Sequence, residues 1–220
     1  MTAFASKPMA FLSDIHGNWP ALQAVIAAAQ ERSIDDFYVA GDLLLGGEQP
    51  LEVWQELQRI GARCVRGVSD TALAALDISE LGVPADEASR EALARFQDTR
   101  EAIGELALAR LRRLPEQIRI PMMDGREIVM VHGSPADATR EMTHDLSPEE
   151  ILSLVADDPA DIVICGASHV PFRHDVEEVS IVNVGSVGQA PEGNIAHMTV
   201  VTPRMSGAEI QQLWVDYRSA

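Results

Sequence analysis

Four short apolar runs in this chain each break off at an acidic residue or a histidine beside a glycine: MAFLSDIHGN at 9–18, FYVAGD at 37–42, EIVMVHG at 127–133 and DIVICGASH at 161–169. Runs rich in Val, Ile, Phe and Tyr without polar alternation suit strands buried on both faces of an α/β sheet. In such sheets, ligands usually bind in the crevice beyond the carboxyl ends of the strands. Asp14, His16, Asp42, His132 and His169 are therefore expected to converge on one crevice, although they lie far apart in sequence.

Between these runs the pattern alternates helix and strand. Asn18 and Pro20 are helix-start residues for an Ala-rich segment running to Arg32. A strand through Tyr38 and Val39 leads to Asp42, and Gly46 and Gly47 make a loop. Pro50 opens a second helix, PLEVWQELQRI, which Gly61 closes as a left-handed cap; ARCV then reads as a short strand before the turn RGVSD at 66–70. From Thr71 to Arg113, charges spaced among Leu and Ala predict an amphipathic helical pair or insert, most simply a cover for one sheet face.

After Leu114 the pattern becomes strand-rich. IRIPMMDGREIVMVHG predicts a hairpin turning at Asp124 and Gly125. Ser147, followed by Pro148, Glu149 and Glu150, starts a helix that ends near Ala156. Strands follow at DIVICG, VEEVSIVNVGSVG, NIAHMTVVTP and EIQQLWVDYR, while the glycines and Asn183 of NVGSVGQ shape a tight turn near the crevice. The expected whole is a mixed α/β architecture with two sheets, in one domain over residues 1–220.

Composition limits the partners. With 34 acidic and 17 basic residues the net charge is −17, which opposes bulk DNA or RNA binding. A phosphorylated small molecule stays compatible, because a bound divalent cation dominates its local field. Cys64 and Cys165 both lie within or beside apolar runs and read as buried free thiols. No run is long enough to span a membrane and no leader pattern opens the chain, so a cytoplasmic protein is expected.

The candidate crevice residues have a common chemistry. Residues two apart on a strand face the same side, so Asp14 and His16 reach one ion if the extended geometry persists to His16. Asp42 supplies a carboxylate able to bridge two ions, and His132 and His169 supply imidazoles. Carboxylate oxygens and imidazole nitrogens without thiolate suit Mn, Fe or Zn. Any one of the five alone reads more readily as a turn-capping Asp or a hydrogen-bonded core His; five at corresponding strand ends, each next to a turn, favour metal.

The ordered blocks SDIHGN, GD at 41–42, RGVSD at 66–70, VHGSP at 131–135, GASHVP at 166–171 and NVGSVGQ at 183–189 resemble the calcineurin-like metallophosphoesterase superfamily, most of all its small bacterial phosphodiesterase branch. The resemblance spans about Met9 to Gln189. It implies a four-layer αββα sandwich, two mixed β-sheets flanked by helices, with a two-metal site at one edge. It also implies hydrolysis of phosphate mono- or diesters by a metal-bound hydroxide.

Carried over position by position, the resemblance gives the first ion Asp14, His16, bridging Asp42 and His169. The second ion keeps Asp42 and His132, but Val68 and Ala167 stand where the family has Asn and His. Ser69 stands where the family has the histidine that protonates the leaving group, a general acid that typically contributes about 10² to 10⁴ in rate. Asp70 occupies the position that orients that histidine, or else caps the following helix. Arg66 is either a bidentate phosphate holder or a solvated turn residue. His144, His174 and His197 are candidates to complete the second site, or ordinary surface and packing histidines. One firmly bound ion and a doubtful second are expected, in a weakened phosphoesterase acting on a phosphorylated small molecule. The alternative is a catalytically inactive metal-binding relative that serves as a phospho-ligand or protein-binding module. The 71–113 segment shapes either a substrate pocket or a homo-oligomer contact.

Overall fold

The computed structural model describes residues 4–76, 84 and 86–219. Two five-stranded sheets face one another. The first has the order β10-β9-β1-β2-β3, built from β1 (Met9–Leu12), β2 (Asp36–Val39), β3 (Arg63–Cys64), β9 (Ile195–Arg204) and β10 (Gly207–Asp216). The second has the order β4-β5-β6-β8-β7, built from β4 (Gln117–Pro121), β5 (Glu127–Val131), β6 (Ile162–Cys165), β7 (Phe172–Val176) and β8 (Val179–Asn183). Both sheets are mixed: β1 runs parallel to β2 and antiparallel to β9, and β6 runs parallel to β5 and β8 while β4 and β7 are antiparallel edges.

The continuous apolar runs follow from burial on both faces. Along β1, Met9 and Phe11 enter the layer between the sheets, while Ala10 and Leu12 enter a second cluster beneath the helices. β5 and β6 repeat this: Ile128, Met130, Ile162 and Ile164 point between the sheets, and Val129, Val131, Val163 and Cys165 point outward. The period of two is intact, but both halves of it are apolar. Each fully buried side chain of this size contributes about 1.5–3 kcal/mol of hydrophobic stabilisation. Phe11 and Tyr38, paired across β1 and β2, also stack with ring centroids 5.0 Å apart.

Helices complete the four layers. On the first sheet lie α1 (Trp19–Gln30) and α2 (Pro50–Arg59); on the second lies α5 (Pro148–Val155). The expected caps are present: Asn18 Oδ1 accepts from the Ala21 amide, Gly61 adopts φ 66° beyond α2, and Ser147 exchanges hydrogen bonds with Glu150. The 71–113 segment begins earlier than expected, as α3 (Val68–Ala75) and α4 (Glu87–Leu111), with 77–83 and 85 outside the described residues. α4 is interrupted at Gly104 (φ 72°, ψ 170°) and packs mainly on α2 and α3, so it covers the helical layer rather than a bare sheet face. Its Phe96, Ile103, Leu108 and Leu111 join the core beneath the helices.

A second correction concerns VEEVSIVNVGSVG. Its first residues close a β7–β8 hairpin through the two-residue turn Glu177–Glu178, with Glu177 at φ 52° and Val176 opposite Val179. His174 sits on the edge strand β7. The parallel strands β1, β2, β5 and β6 end at Leu12, Val39, Val131 and Cys165, so the segments bearing all five candidate ligands leave the paired sheets at one end.

Candidate metal centre

Asp14 and His16 converge for a reason other than the one expected. β1 ends at Leu12, and extended geometry does not persist beyond it. Asp14 (φ 54°), His16 (φ 51°), Asp42 (φ 54°) and His169 (φ 61°) all adopt left-handed backbone, as does Ala167 (φ 65°). Non-glycine residues visit this region rarely, at a strain of about 1–2 kcal/mol per residue. Successive left-handed turns, held by hydrogen bonds from the Asp14 amide to Gly41 O (3.0 Å) and the His16 amide to Asp42 O (3.0 Å), fold the β1 and β2 loops together.

The turns bring two overlapping groups of donor atoms together: Asp14, His16 and His169; and Asp14, Asp42 and His132. Asp14 is fully buried, and its Oδ2 accepts from the Ala167 amide at 3.0 Å. Its Oδ1 has no hydrogen-bond partner. Nε2 of His169 and of His16 stand 3.3 and 3.6 Å from that oxygen and 3.2 Å from each other. His16 Nδ1 donates to Leu45 O at 2.8 Å, which leaves Nε2 with its lone pair facing inward. His132 is oriented alike: Nδ1 donates to Ala40 O at 2.7 Å, and Nε2 stands 3.6 Å from Asp42 Oδ1.

A buried orphan oxygen faced by imidazole nitrogens fits a cation. Metal–ligand bonds of about 2.0–2.2 Å place adjacent donors roughly 3–3.5 Å apart, the spacing found around Asp14. Backbone carbonyls that fix each imidazole's tautomer are the usual outer support of a metal ligand. The electrostatics agree. Burial alone raises the Asp14 carboxyl, yet His16, His169 and His132 hold it well below the ordinary carboxylate range. Burial likewise lowers His16, but Asp14 and Asp42 outweigh it and raise the imidazole. The site asks for positive charge.

The second group also has three donors, but the positions beside it add no further ligand. Asp42 Oδ1 accepts from the Ser69 amide at 2.9 Å, which holds the carboxylate at the N-terminus of α3. Val68 is 48% exposed there, and Ala167 presents only a methyl group. Ser69 Oγ is buried without a partner. Asp70 is fully buried and accepts from three amides: Asp42 (2.9 Å), Leu43 (3.0 Å) and Gly67 (3.0 Å). Burial and the charge of Asp42 push its carboxyl up to about 6. Asp70 therefore caps α3 and also fixes the Asp42 backbone. Arg66 pairs with Glu116 Oε1 at 2.9 Å and donates to Arg112 O at 3.1 Å, beside a small cleft that includes Val68 and Thr71. Neither candidate group among the described residues contains His144, His174 or His197. His174 Nε2 bonds the His144 carbonyl at 2.9 Å, and His197 Nδ1 accepts from the Ser186 amide at 3.3 Å.

The NVGSVGQ turn packs directly on the Asp14 loop. Ser186 Oγ donates to Asp14 O (2.8 Å), and the Val187 and Gly188 amides donate to Ser13 O (3.0 Å) and Asp14 O (2.9 Å). Asn183 Nδ2 holds the other side, donating to Gly166 O (2.6 Å) and Ser168 Oγ (3.0 Å) in the turn that carries His169. Unread in the sequence were the supporting carbonyls of Ala40 and Leu45, which carry no side-chain signal, and Ser13, whose Oγ donates to Ala40 O at 3.2 Å. Its adjacency to Asp14 was the available clue.

A family model described as the calcineurin-like phosphoesterase superfamily domain matches residues 8–205. The chain belongs to that superfamily. An uncharacterised protein of Methanocaldococcus jannaschii, MJ0912, is 24% identical over 96% of this chain and 89% of its own length. Among solved structures, hypothetical protein PH1004 of Pyrococcus horikoshii superposes with a TM-score of 0.83 at 22% identity, over 96% of this chain and 88% of its own. A metallophosphoesterase from Sphaerobacter thermophilus gives 0.73 at 21% identity, over 95% and 89%. These levels of identity show a shared fold. Among the described residues no helix is long and apolar enough to cross a membrane.

Proposed function

We propose that the protein is a divalent-metal phosphoesterase that hydrolyses a small phosphate ester through one firm ion site. The observation that carries this reading is the unpartnered Oδ1 of buried Asp14, faced by Nε2 of His16 and His169 at 3.6 and 3.3 Å. Asp14, His16, Asp42 and His169 would hold the first ion, and His132 with Asp42 would hold a weaker second. Mn, Fe or Zn suits this donor set. A bound ion would neutralise charge on the phosphoryl oxygens and lower the pKa of water. Hydrolysis forms a P–O bond to water and breaks the P–O bond to the alcohol, whose oxygen must gain a proton.

Nothing at position 69 supplies that proton well, because a serine hydroxyl is too weak an acid. Ester substrates with good leaving groups are therefore favoured. Asp70 acts through the Asp42 backbone it fixes. Arg66 would reach phosphate only by leaving Glu116. Free buried thiols at Cys64 and Cys165 suit a reducing compartment, and a cytoplasmic location completes the reading. The second reading, an inactive relative that binds a phospho-ligand or a protein, is favoured by Val68, Ser69 and Ala167 standing together around the weaker group.

The test is bound metal per chain, followed by Mn-dependent hydrolysis of an aryl and an alkyl phosphodiester, with Asp14→Ala as the blank. The aryl ester should turn over well above the blank and the alkyl ester far less. Hydrolysis of neither above the blank would leave only the binding-module reading.

A further inference from the structure

The first-site ligand His16 also forms one wall of a cavity of about 370 Å³. The 46–49 loop also lines it and is tied to the His16 segment: His16 Nδ1 bonds Leu45 O, the Gly47 amide bonds His16 O at 2.5 Å, and the Gln49 amide bonds Gly17 O at 3.1 Å. The cavity is thus preformed against the proposed metal centre. A second cavity of about 540 Å³ shares Gly46, Gly47 and Glu48 with it and continues to Arg95 and Asp98 on α4.

The lining is chemically one-sided. Around the first cavity stand the amides of Asn18, Gln49 and Gln189, the Glu48 carboxylate and backbone of four glycines, with Pro20 the main apolar group. Apart from the His16 imidazole, no phenylalanine, tyrosine or tryptophan ring lines either cavity among the described residues. Asn18 is already engaged with Gly188 O and Tyr217 Oη, whereas among the described residues the Glu48 and Gln49 side chains make no hydrogen bond. Nucleobases and aryl groups are ordinarily held by flat apolar or aromatic faces. Free carboxylate and amide groups instead match hydroxyls, which both donate and accept.

We infer that this two-lobed groove receives the alcohol part of the ester, and that this alcohol is polyhydroxylated, of the glycerol or sugar class. The inference rests on the phosphoesterase reading for its phosphate end. Glu48 and Gln49 hold the hydroxyls nearest the metal centre, and the lobe toward α4 accommodates larger sugars. Turnover of activated aryl esters would then be a property of the leaving group rather than of fit.

Titration calorimetry on the Mn-loaded protein with glycerol 3-phosphate, phenyl phosphate and inorganic phosphate separates the possibilities. Glycerol 3-phosphate should bind about tenfold more tightly than phenyl phosphate, the size of roughly one net hydrogen bond. The double variant Glu48→Ala, Gln49→Ala should erase that difference while still binding inorganic phosphate. Equal binding of both esters by the wild-type protein, tighter binding of phenyl phosphate, or binding of inorganic phosphate alone would each overturn the inference. Selective binding with no hydrolysis of either the aryl or the alkyl phosphodiester above the Asp14→Ala blank would leave it standing and sink the phosphoesterase reading. Hydrolysis without selectivity would do the reverse.

Discussion

Positive φ at the non-glycine residues Asp14, His16, Asp42, Ala167 and His169 is concentrated at one site, and among the other described residues it recurs at Ser33, Ala156 and Glu177. The strain is kept at position 167 although the side chain there is only a methyl group, so the turn that would aim a histidine survives its loss. The triple change Val68→Asn, Ser69→His and Ala167→His should therefore raise bound metal and accelerate alkyl ester hydrolysis by about 10² to 10⁴, the usual contribution of a general acid. Unchanged metal content and unchanged rate would mean that the loops no longer fit a second ion. Ala156 is the contrasting case. It ends α5 at φ 54°, ψ −138°, is exposed, and has no ligand role to justify the strain. Ala156→Gly should stabilise the protein by about 0.5–1 kcal/mol, read as a higher denaturant midpoint at unchanged slope.

Elements were legible where burial or capping leaves a mark on residue type. The all-apolar β1 and β6, the apolar run Ile128–Val131 of β5, the Asn18 and Ser147 caps and the Gly61 terminator all lie where the chain predicts them. The Glu177–Glu178 hairpin was hidden because its turn lacks the Asn-Gly or Asp-Gly that such turns favour. The five ligand candidates were found by residue type and position, but their convergence by left-handed turns was not, since Asp14 and His16 carry no glycine at their own positions. The packing of the 183–189 turn on the Asp14 loop is testable at Gly188, where an added Cβ would stand 1.9 Å from Ile15 O. Gly188→Ala must push the turn away. The expected result is a stability loss of about 1–3 kcal/mol together with weaker metal binding. Wild-type metal affinity in a destabilised variant would show that the turn supports the fold but not the site.

At the scale of the whole molecule, two fields of opposite sign meet an incoming substrate. The chain carries a net charge of −17. Within the centre, a divalent ion would roughly offset the carboxylates of Asp14 and Asp42, so attraction to phosphate is confined to contact range. Beyond it the acidic surface repels an anionic ester, and that repulsion reaches about 30 Å at 0.01 M salt but only about 8 Å at 0.15 M. With metal held at saturation, kcat/KM for an anionic diester should therefore rise as KCl is increased over that range, by up to roughly tenfold. An uncharged viscosity control separates screening from diffusion. A kcat/KM that falls with salt would require a positive funnel at the mouth of the site strong enough to reverse the net field. Among the described residues, Arg66 and Arg95 line clefts beside the 46–49 loop and the start of α3, and Arg66 is already paired with Glu116. Arg95 is the first candidate for such a funnel, and if it supplies the field Arg95→Gln would abolish the fall.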